Sequence, residues 1–191
     1  MGFAWRVAVR FLVEGRMQTL FIVAAVAIGV AVIVFMSAML SSLQANFLRR
    51  VLTTPFRIER RVIPDGFESV RDTIIDLVDN AGCDLVLTTG GTGPSARDLT
   101  PEATLAAAPR EFPGFGEKMR QASLAQTPTA ILSRQTAGSR GRSLIVNLPG
   151  KPRSIEVCLG AVFPAIPYAL DLLGAGRIET NPAIVEAYRP A

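Results

Sequence analysis

Short apolar runs alternate with amphipathic stretches along residues 51–191, and this alternation predicts an α/β domain. Brief apolar runs indicate buried strands, whereas apolar residues recurring every three to four positions indicate helices. The predicted strands are 56–63, 85–87, 129–133 and 143–146, with a turn at 138–141 between the last two. The predicted helices are 67–78, one starting at Thr100-Pro101, 117–124, 154–174 with breaks near Pro164 and Pro167, and a short one near 184–187. This order favours three layers, with a mostly parallel sheet between helices.

Residues 21–40 contain no charged side chain, and this predicts a transmembrane helix. The run has the length of a bilayer-spanning helix and exceeds the usual apolar region of a signal peptide. We therefore expect a single-pass membrane protein with two parts, residues 1–50 containing the span and residues 51–191 forming the α/β domain. Arginines flank the span on both sides, so the orientation stays open.

Composition excludes several kinds of site. The chain has no histidine, which excludes Ser-His and Cys-His catalysis and histidine-containing metal sites. Cys83 and Cys158 are not in a metal-binding spacing and adjoin apolar sequence, so we expect buried free thiols. The net charge of +4 comes from dispersed cationic residues, a pattern that does not indicate a nucleic-acid partner.

The sequence Gly-Gly-Thr-Gly at 90–93, here called the glycine loop, follows one predicted strand and precedes the helix at Thr100. Glycines let the backbone approach a ligand closely, and free N–H groups at a helix start can bind phosphate oxygens. Asp98 lies just beyond the loop, where a carboxylate could hold Mg²⁺ against those phosphates. No Gly-Lys-Ser/Thr follows, and the spacing is not that of a dinucleotide fingerprint, so a tight turn without ligand is the alternative.

Two further loops are expected at the same edge of the sheet. Residues 147–152, here called the second turn, follow a predicted strand, and so does Asp65. In parallel sheets ligands lie beyond the carboxyl ends of the strands, which would bring the three loops together. Asp65 also suits a helix N-cap with Glu68 as capping-box partner, and the second turn could be an ordinary rigid turn. Lys151, Arg134 and Arg97 are candidate phosphate contacts, although each alone is more often a solvated surface charge.

Collinear motifs across residues 51–191 match one enzyme family. They are LTTPF at 52–56, IPD at 63–65, LVLTTGGTGP at 85–94, RD at 97–98, TPEAT at 100–104, PGFGEKMR at 113–120, TAILSRQ at 129–135, NLPGKP at 147–152 and ET at 179–180. In these motifs the chain resembles the molybdopterin adenylyltransferases, the Mog-type members of the molybdenum-cofactor-binding fold.

The resemblance implies Mg-ATP-dependent adenylylation of molybdopterin, which gives adenylyl-molybdopterin and pyrophosphate. Asp65 and Asp98 match the family's two essential carboxylates, and the resemblance implies catalytic and Mg²⁺-binding roles for both. The residues implied to contact nucleotide or pterin phosphate are Thr89, Gly90, Gly91, Thr92, Gly93, Glu117, Ser133, Arg134, Asn147, Pro149, Gly150 and Lys151. Family members are usually trimers, and a domain that uses ATP would lie in the cytoplasm.

The first fifty residues depart from this family. Its members begin with a strand, a loop ending in Ser-Asp-Arg, and a helix, so we expect a sheet that lacks its usual first strand. Residues 1–50 instead resemble the start of an ABC-transporter permease, in VRFL at 9–12, GRMQTL at 15–20 and AIGVA at 27–31. Two alternatives to an active enzyme follow, a non-catalytic membrane-anchored molybdopterin-binding module and a non-functional permease/adenylyltransferase fusion. A permease-type start would place the domain outside the cytoplasm, away from ATP.

Overall fold

The structure, a computed structural model, describes residues 42–190, so the predicted span at 21–40 lies outside the described residues. Helical residues 42–51 form the first described element, α1. The later helices are α2 (Phe67–Asp79), α3 (Thr100–Ala107), α4 (Pro113–Leu124), α5 (Pro152–Val162) and α6 (Ile166–Leu173), with 3₁₀ turns at Pro128–Leu132 and Phe163–Ala165. The strands are β1 (Leu85–Thr89), β2 (Arg110–Glu111), β3 (Ala137–Arg140) and β4 (Ser143–Leu148).

The four described strands form one mixed sheet in the order β1-β4-β3-β2. Strand β1 is parallel to β4, whereas the β4–β3 and β3–β2 pairs are antiparallel, so the prediction of a mostly parallel sheet is wrong. The cause lies at Gly141, whose φ of 54° closes a tight hairpin between β3 and β4. Strands joined by such a short connection can only pair antiparallel. Whether the whole chain lacks a first strand stays a prediction, because residues 1–41 are not described.

Strand β3 occupies the residues predicted as a turn, because close packing here demands small residues. Gly138 faces the backbone of β2, and an added Cβ would lie 2.8 Å from the Arg110 carbonyl oxygen. A run of small residues has low strand propensity, so the local sequence favours a turn. The close packing that requires small residues here is a tertiary contact, which the local sequence does not reveal.

Four other local predictions are also wrong. Residues 56–63 form no strand, because their alternating apolar pattern finds no partner edge among the described residues. Residues 129–133 lie mostly in a 3₁₀ turn that starts at Pro128, where the fixed φ of proline favours a helical turn. Residues 184–187 contain no helix, and α4 begins at Pro113 rather than at Glu117. The remaining predicted strands and helices are confirmed to within a few residues.

Helices cover both faces of the sheet. The side chains of Leu144, Val146 and Leu148 on β4 join one buried cluster with α5 and α6, whereas Ile145 joins a second cluster with α2 and α3. Every residue of β4 is buried, as expected of a strand that is covered on both sides. The domain therefore has two cores separated by one sheet.

Both cysteines are free, as predicted. Cys158 is fully buried, and burial raises the pKa of its thiol, so the protonated form is favoured. Cys83 is only partly buried, because it lies in the turn that joins α2 to β1.

The end of α1 packs against the first of these cores. Val51 is fully buried, and the ring of Phe47 meets that of Phe163 edge to face at a centroid distance of 5.5 Å. Gln44 donates a hydrogen bond to the Thr89 hydroxyl at the end of β1. The boundary between residues 1–50 and 51–191 stays a prediction, since most of the first part is not described.

One helical stretch among residues 42–190, Pro152–Leu173, is long and apolar enough to cross a membrane on length and composition alone. It comprises α5, a 3₁₀ turn and α6, and its residues Leu159, Phe163 and Leu170 are buried in the core. Core helices meet the same length and composition criteria, so this stretch is weak support for a membrane span.

Helices α2 and α3 point their N-termini towards the end of the sheet where β1 and β4 finish. Their C-termini lie at the opposite end, where Arg140 pairs with Asp79 of α2 at 2.6 Å and donates to the Ala107 carbonyl of α3 at 3.2 Å. Helix α5 follows the carboxyl end of β4, so its N-terminus also lies at the end of the sheet where β1 and β4 finish. The loops predicted to bind a ligand therefore lie beside three helix N-termini.

Replacing Leu144 by alanine should lower the free energy of unfolding by about 2–5 kcal/mol, the usual cost of removing a fully buried leucine side chain. Leu172→Ala is the matched control, because Leu172 is 69% exposed and its loss should change stability by less than about 0.5 kcal/mol. Urea denaturation followed by circular dichroism would compare the two, and equal effects would contradict the assignment of β4 to the core.

Candidate functional site

The glycine loop connects the end of β1 to α3 through a backbone that only glycine adopts readily. Gly90 and Gly91 have φ values of 93° and 63°, in the left-handed region. The Gly90 N–H donates to the Leu148 carbonyl at 3.1 Å, and the Gly91 carbonyl accepts from the Thr100 N–H at 3.1 Å. An added Cβ at Gly91 would lie 2.3 Å from the Thr100 hydroxyl, so the loop folds tightly onto the start of α3.

The second turn packs directly against the glycine loop. An added Cβ at Gly150 would lie 3.4 Å from the Gly90 Cα. Helix α5 begins at Pro152, just past this turn, and α3 begins at Thr100 beside the glycine loop. Helix N-termini present unpaired N–H groups and a partial positive charge, so this edge favours an anionic ligand. The structure thus brings together two of the three loops predicted to meet.

Asp98 is half-buried at the foot of the glycine loop, in a turn that holds its carboxylate in place. Its Oδ2 accepts from the Ser95 N–H at 3.1 Å, and the Asp98 N–H donates to the Ser95 carbonyl at 2.9 Å. The same Oδ2 lies 2.8 Å from where a Cβ on Gly93 would be, so a larger residue there would displace this carboxylate. Oδ1 accepts no hydrogen bond from the described residues, which leaves it available to a ligand.

Arg134 connects this turn to α3. Its Nε donates to the Gly93 carbonyl at 2.9 Å, while its terminal nitrogens donate to the Asp98 carbonyl and the Glu102 carboxylate. Its backbone N–H also donates to the Thr92 carbonyl at 2.8 Å. The side chain predicted to contact phosphate therefore bonds to the loop itself.

The hydrogen bond from Arg134 lowers the pKa of the Glu102 carboxyl below its usual range. A depressed pKa in the folded state means that the pairing stabilises the fold above the pKa of an unfolded glutamate, about 4.3. That contribution is lost as the pH falls through the lower folded value. At neutral pH the ion pair is fully formed, although its partial exposure keeps its contribution modest.

Asn147 is fully buried beneath the loops, where it ties three elements together. Its amide nitrogen donates to the Thr88 hydroxyl of β1 at 3.0 Å and to the Thr104 hydroxyl of α3 at 2.8 Å. Its own oxygen has no hydrogen-bond partner among the described residues. In this structure Asn147 holds the end of β1 and helix α3, which flank the glycine loop, in position.

The remaining predicted contacts are not joined to the glycine loop by side-chain hydrogen bonds among the described residues. Pro149 is partly buried, whereas Lys151 and Glu117 are exposed, and no described hydrogen bond joins the Lys151 or Glu117 side chain to the glycine loop. The Ser133 hydroxyl donates to the Gln135 side chain at 2.9 Å. Arg97 is exposed and forms no described ion pair.

Asp65 lies in an exposed bend before α2, at the same end of the sheet as the glycine loop. It does not cap the helix, because Gly66 occupies the N-cap position and no side-chain cap is present. Among the described residues, no hydrogen bond or ion pair links Asp65 to Asp98. Its predicted role stays a prediction.

Sequence reasoning missed Ser95, Glu102 and Thr104, which hold Asp98, Arg134 and Asn147 in place. Glu102 and Arg134 are 32 residues apart in sequence, and Thr104 and Asn147 are 43 apart. A local sequence pattern therefore gives no signal of either contact. Ser95 lies three residues before Asp98, a spacing that could have suggested an Asp-containing turn.

Comparisons with known proteins agree on one family. Residues 38–168 match the family described as "probable molybdopterin binding domain". The chain is 50% identical over 156 residues to the molybdopterin adenylyltransferase of Haemophilus influenzae, covering 75% of this chain and 79% of that protein. It is 50% identical over 157 residues to the molybdopterin adenylyltransferase of Escherichia coli K12, covering 76% and 80%. The solved structure of the molybdopterin biosynthesis Mog protein from Mycobacterium ulcerans superposes with a TM-score of 0.64 at 36% identity, covering 70% of this chain and 84% of that one.

Replacing Gly91 by alanine should destabilise the domain by at least about 1 kcal/mol, because the added Cβ meets the Thr100 hydroxyl and the φ is unfavourable for alanine. Gly160→Ala is the matched control, since Gly160 lies inside α5 with open space around its Cα and should gain about 0.5–1 kcal/mol. Chemical denaturation would measure both, and a neutral Gly91→Ala would contradict the described loop.

Proposed function

Because this chain belongs to the family of probable molybdopterin binding domains, we propose that it is a molybdopterin adenylyltransferase acting in molybdenum cofactor biosynthesis. Its substrates in this proposal are ATP and molybdopterin. The support comes from half-identical relatives that bear this name and that the chain matches over about four-fifths of their length.

The proposed reaction transfers an adenylyl group between two phosphates. An oxygen of the terminal phosphate of molybdopterin attacks the α-phosphorus of ATP, and the bond from that phosphorus to the oxygen of the β-phosphate breaks. The products are adenylyl-molybdopterin and pyrophosphate. Such transfer needs little covalent chemistry from the protein, which must chiefly align two anions and offset their charge.

The observation that carries the proposal is the contact between the glycine loop and the second turn at the start of α3. Two phosphate-bearing substrates require two adjacent anion sites, and the contact between Gly90 and Gly150 makes the two turns one continuous surface. Backbone N–H groups there can hold phosphate oxygens without the desolvation cost of a buried cation. Lys151, exposed at the start of α5, adds positive charge beside the second turn.

Mg²⁺ fits this site on the chemistry of its donors. Among residues 42–190 no three acidic, cysteine or histidine side chains converge, so a metal cage made by protein alone is not supported. Mg²⁺ is commonly held by one or two carboxylates together with substrate phosphates and water, and the available Oδ1 of Asp98 can serve as one such ligand. When bound, the ion would neutralise charge on the ATP phosphates.

The finer assignments remain proposals from the resemblance. We infer that Asp65 supplies a second carboxylate from the same end of the sheet and that Glu117 and Ser133 border the pterin side. A trimer is also proposed on this basis.

If Asp65 belongs to the site, Asp65→Asn should reduce pyrophosphate release, as Asp98→Asn should. Loss of activity on Asp98→Asn but not on Asp65→Asn would place Asp65 outside the site.

Asp98→Asn should reduce pyrophosphate release from ATP and molybdopterin by at least about 100-fold, because it removes the charged metal ligand while keeping the shape of the turn. Asp72→Asn is the matched control, since Asp72 is an exposed carboxylate of α2 that pairs with the neighbouring Arg71. The assay would use the full chain with Mg²⁺ and a coupled pyrophosphate readout.

The outcomes separate the proposal from its alternatives. Turnover by the full chain, lost on Asp98→Asn and retained on Asp72→Asn, supports the enzyme. Binding of molybdopterin without pyrophosphate release would indicate a non-catalytic binding module. A chain that neither binds nor turns over would indicate a non-functional fusion.

We also propose that residues 21–40 anchor the chain in a membrane with the α/β domain in the cytoplasm, because this run is free of charge and ATP is cytoplasmic. A reporter active only in the cytoplasm, fused after the last residue, should give signal, and an extracytoplasmic reporter should not. The reverse pattern would place the domain away from ATP and contradict the tethered enzyme.

A further inference from the structure

Residues 93–98, here called the Asp98 turn, depend on one side chain from another part of the chain. Within the turn the hydrogen bonds are internal, between Ser95 and Asp98, and residues 94–97 are exposed. Among the described residues, the Arg134 side chain is the one donor that reaches this turn from elsewhere in the chain, and it reaches both of its ends. The adjacent Leu99 N–H donates to the Arg97 carbonyl at 3.1 Å. The position of the Asp98 carboxylate is therefore set by its own turn and by Arg134.

We propose that Arg134 is a positioning residue that clamps the Asp98 turn and thereby fixes the Asp98 carboxylate for the metal-bound nucleotide. This second half rests on the proposed adenylyl transfer, whereas the clamp itself rests on geometry alone. Arg134 donates to the Gly93 carbonyl at 2.9 Å, to the Asp98 carbonyl, and to Glu102 on α3.

The geometry of the guanidinium explains why arginine occupies this position. Its three nitrogens lie in one rigid plane, so one side chain can reach a carbonyl at each end of the turn and a carboxylate on the helix. Lysine carries the same charge on a single nitrogen and cannot span these three acceptors. Three of the five N–H donors of Arg134 are bonded to protein oxygens, which hold the guanidinium on the turn and on the helix, and we infer that it acts on the substrate through Asp98.

Glu102 completes the clamp by holding the guanidinium from the helix side. Its Oε1 accepts from Arg134, and it lies in the first turn of α3. Helix α3 is itself fixed to β1 and β4 by the hydrogen bonds of Asn147. The Asp98 turn is thereby connected through Arg134 and α3 to the buried sheet.

The test compares Arg134→Gln and Arg134→Lys with Arg142→Gln in the full chain. Arg142 is an exposed arginine paired with Asp84 before the start of β1, so its loss controls for removing a surface ion pair. Backbone amide exchange is measured by mass spectrometry on peptides covering 92–100. Pyrophosphate release is measured as a function of Mg²⁺ concentration.

Both Arg134 variants should exchange at least about tenfold faster in residues 92–100, with no change in β4, and Arg142→Gln should match the parent chain. The Mg²⁺ concentration for half-maximal activity should rise at least about tenfold in both Arg134 variants, with much of the rate recovered at saturating Mg²⁺. A general loss of structure would not be rescued by metal in this way. Glu102→Gln, which removes the negative charge and keeps an oxygen acceptor and the shape, should show the same changes to a smaller extent.

Three results would overturn the proposal. The first is unchanged exchange in residues 92–100 on loss of Arg134. The second is faster exchange with an unchanged Mg²⁺ requirement, which would sever the link to Asp98. The third is faster exchange together with lost activity that saturating Mg²⁺ does not restore, which would give Arg134 a role in the reaction other than fixing the metal ligand. If the parent chain releases no pyrophosphate, the proposed function fails, and the exchange result alone still decides whether Arg134 clamps the turn.

Discussion

The pairing of β1 with β4 is the constraint on which the rest of the structure depends. The two strands run parallel in register from Leu85 opposite Leu144 to Thr89 opposite Leu148. Parallel neighbours end at the same edge, so their glycine turns must emerge side by side. Because β4 is buried on both faces, a shift of this register would move apolar side chains from one core to the other and is strongly disfavoured. The site inherits its geometry from that pairing.

Charge at this edge is supplied mainly by the backbone, while the side chains hold the backbone in position. Asn147 of β4 is hydrogen-bonded to β1 and α3 in the buried interior, and Arg134 is hydrogen-bonded to the glycine loop and to α3 at the surface. This division suits a site for large anions, since preorganised N–H groups need no reorientation as charge develops. A carboxylate such as Asp98 can then face the same anions, provided that a cation lies between them.

Sequence alone was sufficient for the elements with a strong local signal. The period of α2, the apolar run of β1 and the proline at the start of α3 predict their positions closely. Strand β3 was missed because its small residues are chosen by a neighbouring backbone, and residues 56–63 were assigned to a strand because alternation does not reveal whether a partner exists. In the site, the glycines and Asp98 could be found from their local order. The clamp could not, because the partners of Arg134 and Asn147 lie far away in sequence.

The contact between the two glycine turns has a consequence for how this edge can change over evolution. A Cβ at position 150 would lie in contact with the Gly90 Cα, at 3.4 Å, so the side chains that fit at one turn depend on the backbone of the other. We therefore expect the effects of substitutions in the two turns to depend on one another. Diversification of substrate preference at this edge would proceed through paired changes, with the two turns inherited as a single unit.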